Sequence, residues 1–553
     1  MSFPTPPNPI PATSNHELDQ ALDRLSAGKS AWAALPSSKR EVLLKECLTD
    51  LEAVAEEWVR AAIRAKGFEP NTIGEGEEWI GAFSPIVRYT RLLAHAMKHN
   101  GAPPLPSVST NSNGQKVVQV FPLDIKEKLM FKGFSAEVWI EEGKEASQGA
   151  IYRNQTESKV ALVLGAGNQG SIGAMDCLYK LFVENQVCIL KMNPVNSYLG
   201  PYIARAFRSL IEGNFVTVVY GGAKEGEYLC HHDKVDTIHI TGSHHTHDAI
   251  VWGKPRQESP ILTKTITSEL GCVDPIIVVP GNWKEKELQY HAQQVASMLT
   301  HNAGFNCNAG NVVVLSTSWA QKEKFVELIQ NILSTTPTRK AYYPGAIQRH
   351  EEFCAQYPNA IFCSPPKEET IPWTILPNVP AQADQYAFQN EPFCGILSIT
   401  EIESDNAKSF LENAVSFCND SIWGTLSCTL MIDPKTESEN TTSLSNAIAN
   451  LRYGTIAINA WNGVGYSLGT TTWGAHPGHS LEDVCSGIGV MHNALLLDHA
   501  QKSVIRAPFK IAPTPAWFSS NKNLVKLGKR LTAFEFSPSW WNFIGVVSQA
   551  IRG

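Results

Sequence analysis

A cysteine in a glycine-bearing segment is the residue of this chain best suited to chemistry. Cys307 stands in NAGFNCNAG, residues 302–310, and an apolar run over 312–315 follows it. Because glycine has no side chain, the backbone there can approach a substrate closely, and nearby amides can bind an oxyanion. Glu269, within TSELG, adds a carboxylate upstream. The sequence therefore predicts a thiol-based acyl-transfer site with a nucleophile, a carboxylate and amide donors.

A second glycine-rich segment resembles a phosphate-binding loop. An apolar run over 160–164 leads into GAGNQG, residues 165–170, which matches the G-x-G-x-x-G dinucleotide fingerprint. A Rossmann site also requires an acid at the end of the next strand, and the run over 187–190 ends instead at Lys191. Two interpretations stay open: a phosphate-binding loop, or glycines that let a strand turn tightly into a helix.

The elements that must position these residues change in type along the chain. The front is helical: Ser14 and Glu17 form a capping box before an apolar stripe that ends at Gly28, and a similar box at 38–41 starts a helix ending at Gly67. From about residue 158, β-rich runs alternate with helical patterns, which predicts an α/β fold with a mostly parallel sheet. The predicted strands are 160–164, 187–190, 215–220, 237–241, 276–280 and 312–316.

Composition excludes several classes of protein. The 553 residues exceed one ordinary core, so two or three domains are expected. A net charge of −7 without a basic stripe argues against a nucleic-acid partner. No run of eighteen apolar residues occurs, and the start, MSFPTPPNPIPATSN, has neither part of a signal peptide, so we expect no membrane span. The twelve cysteines form no C-x-x-C pair, which indicates reduced thiols and a cytoplasmic location.

Six histidines cluster between the predicted strands and raise the question of a metal. They are residues 231, 232, 239, 244, 245 and 247. Adjacent pairs tend to point apart and no cysteine stands at ligand spacing, so we predict no metal site.

The last part of the chain contains four prolines, at 508, 513, 515 and 538, and then an apolar stretch, SWWNFIGVVSQAI. Such a segment could bind a membrane surface, but it lacks the basic face of helices that do so. We therefore expect it to dock on the protein's own body or on a sister subunit.

Several motifs in collinear order identify a family resemblance. Residues 302–310 fit every fixed position of N-x-G-x-x-C-x-A-G, the catalytic loop of the NAD(P)-dependent aldehyde dehydrogenase superfamily. Residues 269–275 resemble E-L-G-G-K-S-P, 240–243 resemble F-T-G-S, and 391–395 resemble E-I-F-G-P. Residues 451–459 are similar to the family's late strand. The resemblance spans roughly residues 15–495.

The resemblance implies an aldehyde dehydrogenase-like α/β fold of three parts with a C-terminal extension as a fourth, assembled as a homodimer or homotetramer. The expected parts are a Rossmann-type dinucleotide-binding domain (1–130 and 155–268), an α/β catalytic domain (269–460), a small β oligomerisation region (131–154 and 461–495) and a C-terminal extension (496–553).

The same resemblance implies a role for each site residue. Cys307 is the nucleophile, Glu269 the general base, and Asn168 the side chain that stabilises the oxyanion. Asn168 lies within the segment that matched the fingerprint, at the place of the asparagine in the family's P-W-N-F-P loop. The residues implied to hold NAD or NADP are Lys191, Gly242, Ser243, Glu391 and Phe393. The implied reaction oxidises an aldehyde to an acid through a cysteine thiohemiacetal and thioester.

The chain also departs from the family pattern. The tryptophan, phenylalanine and prolines of P-W-N-F-P are absent, and His247 replaces a glycine near the expected pyrophosphate. Pro194 stands where the family commonly has an acid, which removes a repulsion toward a 2′-phosphate and favours NADP over NAD. A late substrate-side motif is replaced by SLGTTTWGAHP, residues 467–477.

Two alternatives remain. An acyl-thioester reductase would bind acyl groups on Cys307 and reduce them with NADPH. A base at Glu269 argues against it, because it would hydrolyse the acyl intermediate. A catalytically silent relative would serve binding or scaffolding, and His247 with the altered 165–171 loop supports that alternative.

Overall fold

The computed structural model describes residues 9–153, 157–365 and 367–553. Most of the predicted proline-rich start, residues 1–8, lies outside the described residues, as do 154–156 at a predicted domain boundary. The strands, in chain order, are β1 (Ser107–Thr110), β2 (Lys116–Phe121), β3 (Ser135–Ile140), β4 (Val160–Leu164), β5 (Val187–Lys191), β6 (Val216–Val219), β7 (Thr237–Gly242), β8 (Thr265–Leu270), β9 (Asp274–Val278), β10 (Gly310–Ser316), β11 (Ile361–Phe362), β12 (Thr374–Leu376), β13 (Ile396–Ile402), β14 (Ser427–Met431), β15 (Thr455–Ile458), β16 (Thr472–Gly474), β17 (Gly487–Ile488), β18 (Val490–His492) and β19 (Ala500–Arg506).

The smaller of the two main sheets contains the fingerprint segment. Its strand order is β17-β8-β7-β4-β5-β6, and β4 to β8 are parallel. The chain runs outward from β4 to β5 and β6, then returns to β7 and β8 on the other side. The segment after β4 therefore lies where the strand order reverses, at the carboxyl edge that binds ligands in open α/β sheets.

The larger sheet contains the strand that follows Cys307. Its order is β1-β2-β3-β19-β15-β14-β9-β10-β13-β12-β11. The strands from β19 to β12 are parallel, and an antiparallel ribbon of β1, β2 and β3 extends one edge. A separate antiparallel pair joins β16 and β18. The predicted α/β class is confirmed, and the predicted strands divide between two sheets.

Helices cover the sheets. In chain order they are α1 (Asn15–Ala34), α2 (Ser37–Lys66), α3 (Ile73–Glu77), α4 (Ser84–Lys98), α5 (Ile125–Met130), α6 (Ala150–Arg153), α7 (Ile172–Phe182), α8 (Gly200–Ala206), α9 (Arg208–Glu212), α10 (Ala223–His231), α11 (His244–Trp252), α12 (Glu285–Thr300), α13 (Lys322–Thr335), α14 (Ala346–Gln356), α15 (Tyr386–Gln389), α16 (Ala407–Ser421), α17 (Pro434–Glu439), α18 (Thr441–Asn450), α19 (Gly463–Leu468), α20 (Leu524–Phe536) and α21 (Trp540–Ala550). A π-helical turn, Glu78–Phe83, joins α3 to α4. The Ser14 capping box is confirmed. The predicted box at 38–41 is wrong: Pro36 precedes α2, with no side-chain cap.

The last sixty residues form part of the body. The strand β19, within the predicted extension, pairs with β15 and β3 inside the larger sheet. Helix α20 packs on α3, the π-helical turn and α4. Buried or largely buried ion pairs connect these helices with one another, with α2 and with the segment between α13 and α14, and we call them the charged seam: Lys66–Glu78, Glu77–Arg339, and Arg88 and Arg91 with Glu535. The predicted domain division stays a prediction.

None of the helices in the described ranges is long and apolar enough to cross a membrane.

Candidate active site

The carboxyl edge of the smaller sheet and the amino edge of the larger sheet border one cavity of about 1300 Å³, which we call the central cavity. Residues of the smaller sheet line one side, and the loops before β10 and β13 line the other. The structure brings all eight predicted site residues to this cavity: Asn168, Lys191, Gly242, Ser243, Glu269, Cys307, Glu391 and Phe393.

The predicted nucleophile and base touch each other. Glu269 is in β8, Cys307 is on the loop before β10, and the Cys307 thiol donates a hydrogen bond to Glu269 Oε1 over 3.3 Å. Burial raises the pKa of Glu269 to about 7, although the Trp473 indole and the Cys307 thiol offset part of that rise. Burial, with the adjacent Glu269 carboxylate, also raises the pKa of Cys307. Glu269 can therefore exchange a proton near neutral pH, and the thiol beside it is held in its protonated form.

A left-handed turn aims the cysteine loop. Asn302, Ala303 and Gly304 have φ values of 53°, 59° and 82°. A Cβ atom at Gly304 would lie 2.9 Å from the backbone carbon of Cys394, so only glycine fits this place without displacing the neighbouring chain. Non-glycine residues with positive φ are strained, and such strain persists only where surrounding contacts hold it.

The Asn302 side chain provides those contacts. Its oxygen accepts from the Lys66 ammonium and the Tyr342 hydroxyl, each at 3.0 Å. Its amide donates to the carbonyls of Asn168 and Phe305 at 3.1 and 3.0 Å. The buried Asn302 side chain therefore links the left-handed turn to the fingerprint segment and to the cysteine loop by hydrogen bonds.

The fingerprint segment is held firmly despite its glycines. The Asn168 carbonyl accepts hydrogen bonds from Tyr342 and Asn302, and its side-chain amide donates to the Phe305 carbonyl over 3.1 Å. Gln169 donates to Asn306 over 2.8 Å. These bonds fix the Asn168 side chain beside the cysteine loop, and Asn168 lines the central cavity.

The opposite half of the cavity offers groups that suit a dinucleotide. Lys191 ends β5 and is buried, which lowers its pKa to about 8. Ser243 is the N-cap of α11 and accepts a hydrogen bond from the Thr246 amide. The amino end of a nine-residue helix carries partial positive charge, which favours phosphate.

The imidazole of His247, which replaces a glycine of the family, does not lie where the sequence predicted it. His247 is fully buried, contacts Asp248 and does not line the cavity. The imidazoles that line it are His231, His244 and His245, and the ring centres of the last two lie 3.9 Å apart with their planes tilted by 45°. Within the described ranges, no group of three or more histidine, cysteine, aspartate or glutamate side chains is arranged to hold a metal ion.

Arg349 orders the third wall of the cavity. Its guanidinium donates to the carbonyls of Pro392 and Phe393 at 3.1 and 3.2 Å. Phe393 has a φ of 42°, and its ring lies 4.9 Å from that of Tyr343. Burial raises the pKa of Glu391, and its buried Oε1 atom has no hydrogen-bond partner among the residues that the structure describes. A ribose hydroxyl would satisfy that oxygen, so the lining residues fit a dinucleotide.

Sequence reasoning missed the residues that hold the site together. Lys66 and Tyr342 lie 236 and 40 residues from Asn302 in the chain, and no local pattern marks either one. Glu77 accepts a hydrogen bond from the backbone amide of Asn302 over 3.0 Å, and it lies 225 residues away from Asn302 in the chain. Trp473, in the segment that departs from the family motif, lies beside Glu269.

Comparison with known proteins agrees with this architecture. The model of the aldehyde dehydrogenase family matches residues 174–474. An N-succinylglutamate 5-semialdehyde dehydrogenase from Novosphingobium aromaticivorans is 25% identical over 174 residues, which cover 31% of this chain and 35% of that enzyme. The chain thus aligns with about a third of that relative's length.

Solved structures share the fold at low identity. An aldehyde dehydrogenase from Mycobacterium tuberculosis, complexed with NAD⁺, superposes with a TM-score of 0.64 at 16% identity over 92% of both chains. An NADP-dependent glyceraldehyde-3-phosphate dehydrogenase from Bacillus halodurans, complexed with NADP, gives 0.60 at 18% identity over 90% of this chain and 92% of its own. The predicted aldehyde dehydrogenase-like fold is confirmed, and because the family model matches more than half of its length, this chain belongs to the aldehyde dehydrogenase family.

Proposed function

We propose that this protein oxidises an aldehyde to a carboxylic acid with NAD or NADP as acceptor. The observation that carries the proposal is the 3.3 Å hydrogen bond from the Cys307 thiol to Glu269, whose pKa is about 7. A buried pair of this kind provides a nucleophile and a base matched to neutral pH.

The first step forms the carbon–sulfur bond. Glu269 accepts the thiol proton, and the Cys307 thiolate attacks the aldehyde carbon. The second amide hydrogen of Asn168 and the backbone amide of Cys307 then stabilise the oxyanion of the thiohemiacetal. Asn168 suits this role because its hydrogen bond to Phe305 limits the rotation of its side chain.

Lys191, Ser243 and Glu391 would hold the dinucleotide, with Gly242 and Phe393 shaping the space around it. A bound oxidised nicotinamide would supply the hydride acceptor that allows the adduct on Cys307 to become a thioester. Glu269 releases the thiol proton to solvent and then takes a proton from water, whose oxygen attacks the thioester carbon. Cleavage of the carbon–sulfur bond releases the acid, and return of the Glu269 proton to sulfur restores the thiol.

For the acceptor we propose NADP ahead of NAD, because Pro194 contributes no carboxylate near Lys191. The test compares kcat/KM for the two acceptors in wild type and in Pro194→Glu, which should shift preference toward NAD. We further propose a cytoplasmic homodimer or homotetramer.

The experiment measures formation of reduced cofactor from an aldehyde panel. Cys307→Ala should abolish turnover, and turnover of wild type should rise with pH as Glu269 loses its proton near pH 7. Cys363→Ala, at a half-buried cysteine outside the cavity, serves as the matched control. Turnover of acyl-coenzyme A with NADPH, but not of aldehydes, would favour a reductase. Cofactor binding without either reaction would favour a silent relative.

A further inference from the structure

The last helix has two apolar sides and packs only one of them. On the inner side of α21, Phe543, Val546 and Ala550 pack against α20. On the outer side, Trp541, Ile544 and Ile551 are 81%, 57% and 70% exposed. Residues three and seven positions apart share a helix face. The expectation that this segment docks on the protein's own body therefore describes its inner side alone.

A neighbouring helix extends the outer apolar surface. Helix α5 contacts α21 and exposes Ile125 and Leu129. The Lys126 ammonium lies 5.5 Å from the ring centre of Trp540, which is itself half-exposed. We call the exposed apolar residues of α5, of α21 and of the turn that follows α21 the apolar ridge: Ile125, Leu129, Trp540, Trp541, Ile544 and Ile551.

A basic stripe borders this ridge. Lys522, Lys526 and Arg530 are exposed at four-residue spacing along α20 and the turn before it. The Arg530 side chain reaches α21, since a Cβ atom on Gly545 would lie 3.4 Å from it. Lys126 lies on the α5 side. The basic face that the α21 sequence lacks is thus contributed by other elements.

Acidic groups in these segments do not neutralise the stripe. Glu535 and Glu127 are buried, and Arg88 binds both of them. Asp124 is exposed and caps α5. The surface is therefore locally basic in a chain whose net charge is −7.

We propose that the apolar ridge and the basic stripe dock this protein on a bilayer surface that contains anionic phospholipid. Tryptophan is favoured at the boundary between headgroups and acyl chains, and lysine and arginine beside an apolar helix face bind anionic headgroups. Helix α21 has eleven residues, so it would lie along the surface and not cross it. A second copy is a poorer occupant, since pairing of two ridges would bring basic margins together.

The test is sedimentation of the full-length protein with two kinds of vesicle. One is phosphatidylcholine alone, and the other adds phosphatidylserine. Wild type should sediment with the mixed vesicles, less at high salt, and little with phosphatidylcholine. Trp541→Ser with Ile544→Ser should weaken binding at least about tenfold, because the inserted side chains are lost. Ile347→Ser with Phe362→Ser, exposed apolar residues elsewhere, is the matched control.

A charge series separates the electrostatic part. Lys526→Gln and Arg530→Gln should weaken binding to the mixed vesicles and flatten its salt dependence. Lys529→Gln removes the same charge from a lysine that is bound to Glu56, so it should change binding little. An unchanged thermal unfolding midpoint shows that each variant folds.

Three results would overturn the proposal. The first is that wild type does not sediment with the mixed vesicles, and the second is that wild type and the double serine variant sediment equally. The third is that light scattering gives a lower molar mass for the double serine variant than for wild type, while neither protein binds vesicles. The last result would assign the ridge to contact between copies.

Discussion

Two regions of this molecule bury glutamates and treat them in opposite ways. In the central cavity, Glu269 is 2% exposed and lies beside a thiol and an indole. In the charged seam, Glu77 and Glu535 are equally buried, but arginines bind them. Burial raises the pKa of all three carboxyls, yet the net pKa rises for Glu269 alone among them. Nearby arginines reverse the shift at Glu77 and Glu535.

The comparison separates an acid that can exchange a proton from acids that hold structure. A carboxylate without a cation is costly to bury, and its protonation state changes near neutral pH. A carboxylate paired with arginine stays charged and links separate segments of the chain. Glu77 connects the two regions, because the same oxygen that binds Arg339 also accepts from the Asn302 amide.

The largest expected effect comes from the acid in the cavity. Glu269→Gln should lower aldehyde turnover by about 10²- to 10⁴-fold, the range for loss of a general base. Its fold should persist, because a neutral amide suits the same buried place. Steady-state kinetics measure the effect. If Glu269→Gln turns over aldehyde as fast as wild type, Glu269 is not the base, and the cavity acid would not differ in function from the acids of the charged seam.

Removal of an acid from the seam should act on stability. Glu535→Gln leaves Arg91 and part of Arg88 unpaired, and breaking a buried pair costs about 3 kcal/mol of unfolding free energy. Denaturant unfolding measures that loss, and turnover per folded molecule should stay near wild type. Glu56→Gln, which removes an exposed partner of Lys529, should cost less than about 1 kcal/mol. Equal losses in the two variants would contradict the role of the seam.

The two regions should respond to pH with opposite signs. Glu269 binds its proton more tightly in the folded state, with a pKa raised from 4.5 to about 7. Its contribution to stability is therefore present below about pH 4.5 and is lost as the pH rises through 7, by about 3 kcal/mol. Glu77 and Glu535 have lowered pKa values, so their contribution is lost as the pH falls.

Unfolding curves between pH 5 and pH 8 test this difference for wild type and Glu269→Gln. The variant should not show the loss on the alkaline side. The same slope in both proteins would assign the pH dependence to other groups.

The smallest expected effect is at the second acid of the cavity. Glu391→Gln keeps a side chain that can bind a ribose hydroxyl, so we expect an increase of only a few-fold in KM for the dinucleotide and little change in kcat. Each 1.4 kcal/mol of lost binding would raise KM about tenfold. A loss of kcat as large as that of Glu269→Gln would show that Glu391 acts on protons.

Local patterns were sufficient where a motif is contiguous. The loop over 302–310 and Glu269 stand in short segments, so the sequence predicted that they form one site. Local patterns were misleading where a contact with a distant part of the chain explains why a residue type occurs at its position. The stripe of α1 was predicted to end at Gly28, but the helix continues to Ala34. Glycine is placed there because a Cβ atom would lie 2.4 Å from the Asn214 carbonyl oxygen.

The fingerprint at 165–170 shows the same limit. Its spacing matches a phosphate-binding loop, but its asparagine is bound to Phe305, Asn302 and Tyr342, which come from other parts of the chain. Spacing describes one segment, and hydrogen bonds between segments depend on how the sheets pack.

The chemical groups of this protein, their order and the class of fold could be predicted from the sequence, because strand and helix periodicity and contiguous motifs are properties of neighbouring residues. The packing of distant segments sets which glutamates have a raised pKa, how Asn302 is held, and where α21 gains basic neighbours. Burial and electrostatic pairing act through space between residues far apart in the chain, and no local spacing records them.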